Sequence, residues 1–184
     1  MTVADYRRYA RDTYGSLADA FLGTYPASSD AETLQARIAS ATDQTFGWEM
    51  RTWAGMTEAA SSGAYLYFFS RVPPGPDAPR NGAYHAAEII YAFDNLGKSP
   101  YPYANGAYDD TDRKLSALMA SYWVNFVTKG DPNGDGLPAW PAYTRKTDEA
   151  LELGDTVRVL SGNRKNRLDF MDKYYAARRA AATN

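Results

Sequence analysis

The residue best suited to chemistry is His85, the only histidine in the 184-residue sequence. A reaction that needs a base titrating near neutral pH must use this imidazole, or else a carboxylate or tyrosine whose pKa is strongly shifted. A single histidine is equally compatible with a hydrogen-bonded structural role or a surface position. The elements that position it therefore have to be established first.

A predicted strand and an irregular loop precede the histidine. Six apolar residues come before Ser70 in the segment Ala64–Ser70, without alternation. This pattern predicts a strand covered on both faces, as in a mostly parallel sheet under helices. Arg71–Arg80 has four prolines in ten residues and cannot form regular structure. His85 is thus expected on a loop at the carboxyl end of a strand, where open α/β sheets gather their ligands.

Helices account for most of the remaining sequence. Thr2 is expected to cap a first helix that ends at Gly15, and Ser29 with Glu32 has the spacing of a capping box. Thr42 or Asp43 is expected to start a longer helix, whose apolar stripe indicates core or, less readily, a cofactor site; the stripe consists of Phe46, Met50, Trp53 and Ala60.

The second half continues the helix-rich pattern. Asp110 or Thr111 is expected to start a helix that closes at Lys129–Gly130 and carries one wide buried stripe: Leu115, Leu118, Met119, Tyr122, Trp123, Phe126 and Val127. Lys98–Asp110 is interpreted as a surface excursion. Ala150–Leu160 is predicted to form a short hairpin or strand pair. A last helix from about Lys165 is predicted to have a solvated basic face.

Composition excludes several classes of protein. The net charge of −2 and the pI of about 5.4 indicate no broad basic face of the kind that binds nucleic acid. The longest uncharged stretch, Leu115–Thr128, has 14 residues and is too short to span a membrane. The absence of cysteine excludes disulfides and thiolate metal sites and favours a cytoplasmic protein. We expect one domain over residues 1–184 and no cofactor.

Asp131–Gly136 opens like a calcium loop, with oxygen-bearing side chains at positions 1, 3 and 5 and glycine at position 6. Position 12 is Ala142, where such a site requires a bidentate glutamate. Asx residues and glycines also form tight turns, which is the preferred interpretation. No metal site is expected.

Several motifs occur together in the order and spacing of one enzyme family. They are His85 with Glu88-Ile89 and an aromatic run ending at Phe93, Tyr65–Phe69 before it, and Ser121–Phe126, Gly130–Gly134 and Leu137–Tyr143 after it. Together they resemble the type-B carboxylesterases, the family of bacterial para-nitrobenzyl esterases and cholinesterases. The resemblance covers roughly the whole chain and implies the C-terminal third of an α/β-hydrolase fold: helix-rich, with a few strands of the central sheet.

The resemblance implies serine-type ester hydrolysis, in which a histidine moves a proton for a serine nucleophile. The family serine lies in a Gly-x-Ser-x-Gly elbow, and this pattern is absent from the 184 residues. In the family the serine and the acidic residue both precede the histidine, so both are expected upstream of Met1. His85 is therefore the expected catalytic residue, and the chain alone is expected to be inactive.

The same resemblance suggests roles around the histidine. Glu88 shares a face with His85 if this stretch is helical; the family implies a supporting carboxylate rather than the triad acid, with a solvated glutamate as the alternative. Gly82 matches a family glycine and suits a turn with positive φ. Tyr84 and Ala87 are candidate pocket residues. Many relatives have glycine where this chain has Ala86, and alanine restricts the backbone there.

Two functions remain open. The first is a fragment of a serine carboxylesterase that acts on a small ester, with no nucleic-acid or membrane partner. The second is a non-catalytic protein-interaction module of the same fold. The motive for the second is that a truncated sheet would expose strand edges and apolar surface, which a homodimer or another association would cover.

Overall fold

The computed structural model describes residues 1–60, 63–98 and 106–182. The chain forms two compact units. One comprises Met1–Met56 and Arg164–Asn184, and the other comprises Thr57–Asn163. The expectation of a single domain over residues 1–184 stays a prediction.

The first unit is helical. Its elements are α1 (Val3–Tyr14), a 3₁₀ turn (Gly15–Leu17), α2 (Ala18–Thr24), α3 (Asp30–Thr42), a π-helical turn (Asp43–Gly47), the first part of α4 (Trp48–Ala59) and α8 (Lys165–Ala182). Two predicted caps are confirmed, because Thr2 accepts a hydrogen bond from Asp5 N and Ser29 accepts one from Glu32 N. These caps satisfy amide groups that the first helical turn leaves unpaired.

Asp43 has a different role from the predicted helix cap. The chain stays helical through it, and its side chain is fully buried. Arg164 Nη1 lies 2.9 Å from Asp43 Oδ1, Arg167 also pairs with this carboxylate, and Tyr25 donates to Oδ2 at 3.1 Å. The prediction of a wholly solvated basic face on the last helix is therefore wrong for Arg164 and Arg167, because a buried carboxylate needs compensating charge.

The apolar stripe of α4 was predicted to be core, and this prediction is wrong in the structure. Phe46, Met50 and Trp53 are 42%, 40% and 66% exposed. The helix instead turns Trp48 toward the core, where its ring stacks on Tyr175 with centroids 4.0 Å apart. The core of this unit is completed by buried side chains of α1, α2, α3 and α8, which leaves the predicted stripe accessible to solvent.

The second unit contains a three-stranded sheet among the residues described, in the order β1 (Tyr67–Phe69), β2 (Glu149–Leu153) and β3 (Val157–Ser161). β1 runs parallel to β2, with Tyr67 opposite Leu151, and β2 and β3 form an antiparallel hairpin. The predicted strand and the predicted hairpin are both confirmed. The strand is shorter than expected, and its residues are half-buried rather than covered on both faces.

Short helices and one long helix complete this unit: α5 (Ala78–Asn81), α6 (Ile89–Ala92) and α7 (Asp110–Lys129). α5 is a single helical turn that begins inside the proline-rich segment Arg71–Arg80, which was expected to be irregular, and ends one residue after it. Asp109, one residue earlier than predicted, caps α7 by accepting from Asp112 N at 3.0 Å. Within the predicted surface excursion Lys98–Asp110, residues 99–105 lie outside the described part of the chain.

The predicted buried stripe of α7 is correct only in its first part. Leu115, Met119 and Tyr122 are buried against the sheet, whereas Phe126 and Val127 are 46% and 83% exposed. A helix of 20 residues is about 30 Å long, but strands of three to five residues extend no more than about 17 Å. The last turns of α7 therefore extend beyond the surface that the sheet can cover.

No helix in the described ranges has both the length and the apolar character needed to cross a membrane.

Candidate active site

His85 lies in a hydrogen-bonded turn between α5 and α6, on the connection that follows β1. Its side chain is exposed. Ala87 N donates to Tyr84 O at 3.1 Å, and Ile89 N donates to Ala86 O at 3.3 Å, so the backbone on both sides of the histidine is fixed by local hydrogen bonds. The histidine is thus held on a defined turn, and the residue as a whole is exposed.

Two residues beside the histidine have positive φ. Gly82, with φ 59° and ψ −151°, ends α5 and donates its N–H to Ala78 O at 2.9 Å. Only glycine adopts this conformation readily, as the sequence predicted. Ala86 has a φ of 69°, in the left-handed region that costs a side-chain-bearing residue roughly 1–2 kcal/mol. Ala86 therefore carries backbone strain directly after the histidine.

Glu88 is half-buried and precedes α6. Its carboxylate makes no capping hydrogen bond to that helix, whereas its backbone carbonyl accepts from Tyr91 N at 3.1 Å and Ala92 N at 2.9 Å. Burial raises the pKa of the Tyr67 hydroxyl, and the negative charge of Glu88 raises this pKa further. The Glu88 carboxylate is thus close enough to the Tyr67 hydroxyl to raise its pKa, and the supporting role of Glu88 stays a prediction.

The two candidate pocket residues differ in their surroundings. Tyr84 is half-buried, and Ala87 is only 2% exposed. The stretch from His85 to Glu88 is a turn, and the α-helix begins only at Ile89. His85 and Glu88 were expected to share a face only if this stretch were helical. Because it is a turn, they do not lie on one face of an α-helix. The assignment of Tyr84 and Ala87 to a substrate pocket stays a prediction.

Sequence reasoning missed a polar cluster that joins both ends of the histidine-bearing segment. Arg71 follows β1 and donates from Nε to Asp112 Oδ1 at 2.7 Å, from Nη1 to Asp155 at 2.8 Å and from Nη2 to Asp109 at 3.2 Å. Tyr91, in α6, donates to the same Asp112 Oδ1 at 2.7 Å. A useful sequence signal was available, since Asp109 and Asp112 have the i, i+3 spacing of a reciprocal cap.

Electrostatics in this cluster follow from burial and pairing. The bond to Asp112 is the main cause that raises the pKa of Arg71 above its already high value. Burial, and then the bond to Asp112, raises the pKa of Tyr91. The backbone N–H contact with Asp112 is the main cause that lowers the pKa of Asp109. The cluster therefore consists of an arginine held as a cation and a tyrosine held as a neutral donor.

A second contact fixes the end of β1. Ser70 Oγ donates to Glu152 Oε1 at 2.8 Å, and Arg158 Nε donates to Glu152 Oε2 at 2.7 Å. Gly154 passes so close that a Cβ on it would lie 2.1 Å from Ser70 Oγ. The strand end from which the histidine connection departs is thus packed tightly against the β2–β3 hairpin.

The predicted Asx turn is supported by its hydrogen bonds. Asp131 Oδ1 accepts from Asn133 N at 2.9 Å and from Asn133 Nδ2 at 2.7 Å, and Asn133 Oδ1 accepts from Trp140 N at 2.7 Å. Two of the three side chains that suggested a calcium loop therefore order this loop through hydrogen bonds. Within the described ranges, no three His, Cys, Asp or Glu side chains are grouped so that they could hold a metal ion.

An exposed imidazole can accept a proton from a hydroxyl and return it to a leaving group. It needs a nucleophilic hydroxyl and hydrogen-bond donors for the oxyanion to complete ester cleavage. The sequence has no Gly-x-Ser-x-Gly segment to present such a hydroxyl. The arrangement can thus supply one part of an acyl-transfer site.

Comparison with known proteins gives a consistent result. The model of the Carboxylesterase family matches residues 3–171. The chain is 33% identical to carboxylesterase 4A of Bos taurus, covering 79% of this chain and 26% of that protein. It is 31% identical to fumonisin B1 esterase of Sphingopyxis macrogoltabida, covering 85% of this chain and 29% of that protein.

A solved structure shares the fold. A thermophilic PNB esterase superposes with a TM-score of 0.69 at 22% identity, covering 93% of this chain and 34% of that chain. The chain therefore has the fold of part of an α/β-hydrolase, with the small mixed sheet and the helices described above. It spans about a third or less of the length of each of these three proteins.

Proposed function

Because the chain belongs to the carboxylesterase family, we propose that His85 is the proton-transfer residue of a serine-type carboxylic ester hydrolase. The observation that carries this proposal is the placement of the single imidazole, exposed on the connection that follows the parallel strand β1. His85 takes the proton of a serine as that serine attacks the ester carbonyl, and then gives the proton to the departing alkoxide.

The serine and the acidic partner belong, in this proposal, to sequence outside the 184 residues. The absence of a Gly-x-Ser-x-Gly segment supports this view, as does the limited share of each relative that the chain spans. The substrate is a small carboxylic ester. Glu88 supports the site through its charge near Tyr67, and Gly82 allows the backbone turn before His85.

The chain by itself is then inactive, because an imidazole without an activated hydroxyl and an oxyanion site provides no enzymatic acceleration. This is tested with p-nitrophenyl acetate and the purified, tag-free chain. We expect a rate per imidazole no greater than that of free imidazole. A faster rate that disappears in His85→Gln would refute inactivity of the isolated chain.

The genomic sequence upstream of the Met1 codon provides an independent test. An open reading frame that continues upstream and encodes a Gly-x-Ser-x-Gly elbow supports the enzyme. A stop codon directly upstream contradicts it, because the nucleophile then cannot come from the same polypeptide. This test requires no protein and separates the two candidate functions at the level of the gene.

The alternative, a non-catalytic interaction module, is favoured by one observation on α7. Val124 and Val127 are 64% and 83% exposed and lie three residues apart on one helical face. In this alternative a second copy of the chain covers that face. Sedimentation should then show a dimer that Val127→Lys dissociates, with Thr128→Lys as a control of equal charge; a monomer at high concentration counts against the module.

A further inference from the structure

We infer that Asp112 is a positioning residue for His85, because its carboxylate holds both ends of the chain segment that carries the imidazole. Arg71, at the start of that segment, and Tyr91, at its end, both donate to Asp112 Oδ1, each at 2.7 Å. The inference rests on the proposed function only in assigning proton transfer to the imidazole; the positioning itself does not depend on it.

The carboxylate is itself rigidly anchored. Asp112 is fully buried, and its second oxygen accepts from Asp109 N at 2.9 Å, within the reciprocal cap that starts α7. A buried carboxylate that loses its partners cannot be compensated by water, so these contacts are strongly favoured. The first turn of the 20-residue helix α7 thus anchors both ends of the segment.

The position of Tyr91 is transmitted to His85 through consecutive backbone hydrogen bonds. Tyr91 N donates to Glu88 O at 3.1 Å, Ile89 N donates to Ala86 O at 3.3 Å, and Ala87 N donates to Tyr84 O at 3.1 Å. The Tyr91 ring is fully buried. A displacement of Tyr91 therefore also displaces the turn that holds the histidine. In a loop without these hydrogen bonds, the backbone between the two residues could adjust and leave the histidine in place.

A third contact holds the same end of the segment. Ser116 Oγ, fully buried in α7, lies 2.7 Å from Asp94 Oδ1 and 3.1 Å from Tyr91 O. Closing a segment at both ends removes most of the conformations otherwise open to it. The shared carboxylate consequently restricts the imidazole to a small set of positions, although no residue of the cluster is a catalytic residue.

A purely structural ion pair would make a different prediction. Its loss would lower the stability of the whole unit and leave the environment of His85 unchanged in the folded state. The decisive observation is therefore made on the folded protein at the histidine itself. The single histidine simplifies this measurement, because a tag-free chain gives one imidazole Hε1–Cε1 resonance.

The test compares Tyr91→Phe with Tyr122→Phe. Both remove one hydroxyl from a fully buried tyrosine in the same core, and the Tyr122 hydroxyl donates instead to Pro138 O at 2.6 Å. We expect Tyr91→Phe to shift or broaden the His85 resonance and to speed amide exchange of Ala87 and Ile89 by roughly tenfold, the effect of one lost hydrogen bond on local opening. Tyr122→Phe should leave both observables unchanged.

A second pair of variants addresses the carboxylate directly. Asp112→Asn keeps an oxygen acceptor and should move the His85 resonance less than Asp112→Ala, which removes it. If Asp112→Ala does not fold, the two tyrosine variants decide the question. Equal His85 spectra and equal exchange rates for Tyr91→Phe and Tyr122→Phe overturn the inference.

The NMR result and the proposed function fail independently. If His85→Gln left esterase activity of a longer protein intact, the proposed function would fail while the dependence of the His85 resonance on Tyr91 would stand. If Tyr91→Phe left the His85 resonance unchanged, the inference about Asp112 would fail, and His85 would still be the proposed proton carrier. The two experiments therefore identify which claim is wrong.

Discussion

Replacing Ala86 with glycine should leave the protein as stable as before or slightly more stable, although Ala→Gly substitutions normally destabilise. Ala86 has a φ of 69°, and a left-handed residue with a side chain carries a strain of roughly 1–2 kcal/mol, which glycine does not. The residue lies directly after His85, so its conformation also fixes the path of the histidine turn.

The magnitude follows from three contributions. Relief of strain contributes about 1.5 kcal/mol in favour of Ala86→Gly. The greater freedom of glycine in the unfolded chain costs about 0.7 kcal/mol. Loss of a half-buried methyl group costs about 0.4 kcal/mol, half the value for a fully buried one. The sum is a net stabilisation of about 0.4 kcal/mol.

Ala117 provides the matched control. It lies exposed within α7 of the same unit, where Ala→Gly costs about 1 kcal/mol because a helix interior disfavours glycine. Urea unfolding followed by circular dichroism and tryptophan fluorescence should place the two variants about 1.4 kcal/mol apart. The strain argument is refuted if Ala86→Gly loses as much free energy of unfolding as Ala117→Gly.

Three other outcomes follow from the contacts described above. Gly154→Ala should destabilise by about 1–3 kcal/mol because its Cβ would lie 2.1 Å from Ser70 Oγ, and adding Ser70→Ala should restore much of the loss in urea melts. The Arg158 and Ser70 hydrogen bonds lower the pKa of Glu152 from its ordinary 4.5, so its stabilisation is present above that pH and is lost as the pH falls through the lowered pKa. Glu152→Gln should therefore cost about 1 kcal/mol at pH 7 and progressively less as the pH falls below 4.5, and a cost that does not change with pH would contradict this. Burial raises the pKa of Tyr6 to about 12. The stability that requires a neutral Tyr6 is therefore complete below pH 10 and is lost as the pH rises through 12. In unfolding experiments at alkaline pH, Tyr6→Phe should lose less stability than the wild-type protein between these pH values.

The parts of the fold that the sequence predicts are those determined by neighbours along the chain. Thr2 and Ser29 cap their helices because the cap and the amide it binds lie within three residues. The segment before Ser70 forms a strand, and the segment around Gly154-Asp155 forms a hairpin, as their local patterns indicate. The positive φ of Gly82 likewise follows from a residue type that has few alternatives.

The errors concern partners distant in sequence. Asp43 has the type and position of a helix cap, but it is buried with Arg164, 121 residues later, which no local pattern indicates. The stripe containing Trp53 has helical periodicity, yet periodicity does not reveal whether another surface covers it. The same limitation applies to Val127 at the end of α7.

The candidate site shows the same division. His85 was identified because the sequence has no other histidine, and its neighbours resembled a family motif. The cluster of Arg71, Tyr91 and Asp112 was missed because its members are 20 and 21 residues apart along the chain and meet only after folding. A sequence identifies a chemically distinctive residue more readily than the ordinary residues that hold it in place.

The central claim is that His85 carries the proton in ester hydrolysis, and its most direct test is the kcat of a longer protein that includes the upstream serine elbow. With p-nitrophenyl acetate as substrate, His85→Gln should lower kcat by roughly 10⁴-fold or more, and circular dichroism should show that the variant remains folded. A kcat within about tenfold of the wild-type value would contradict the claim, since the loss of a true triad member costs far more.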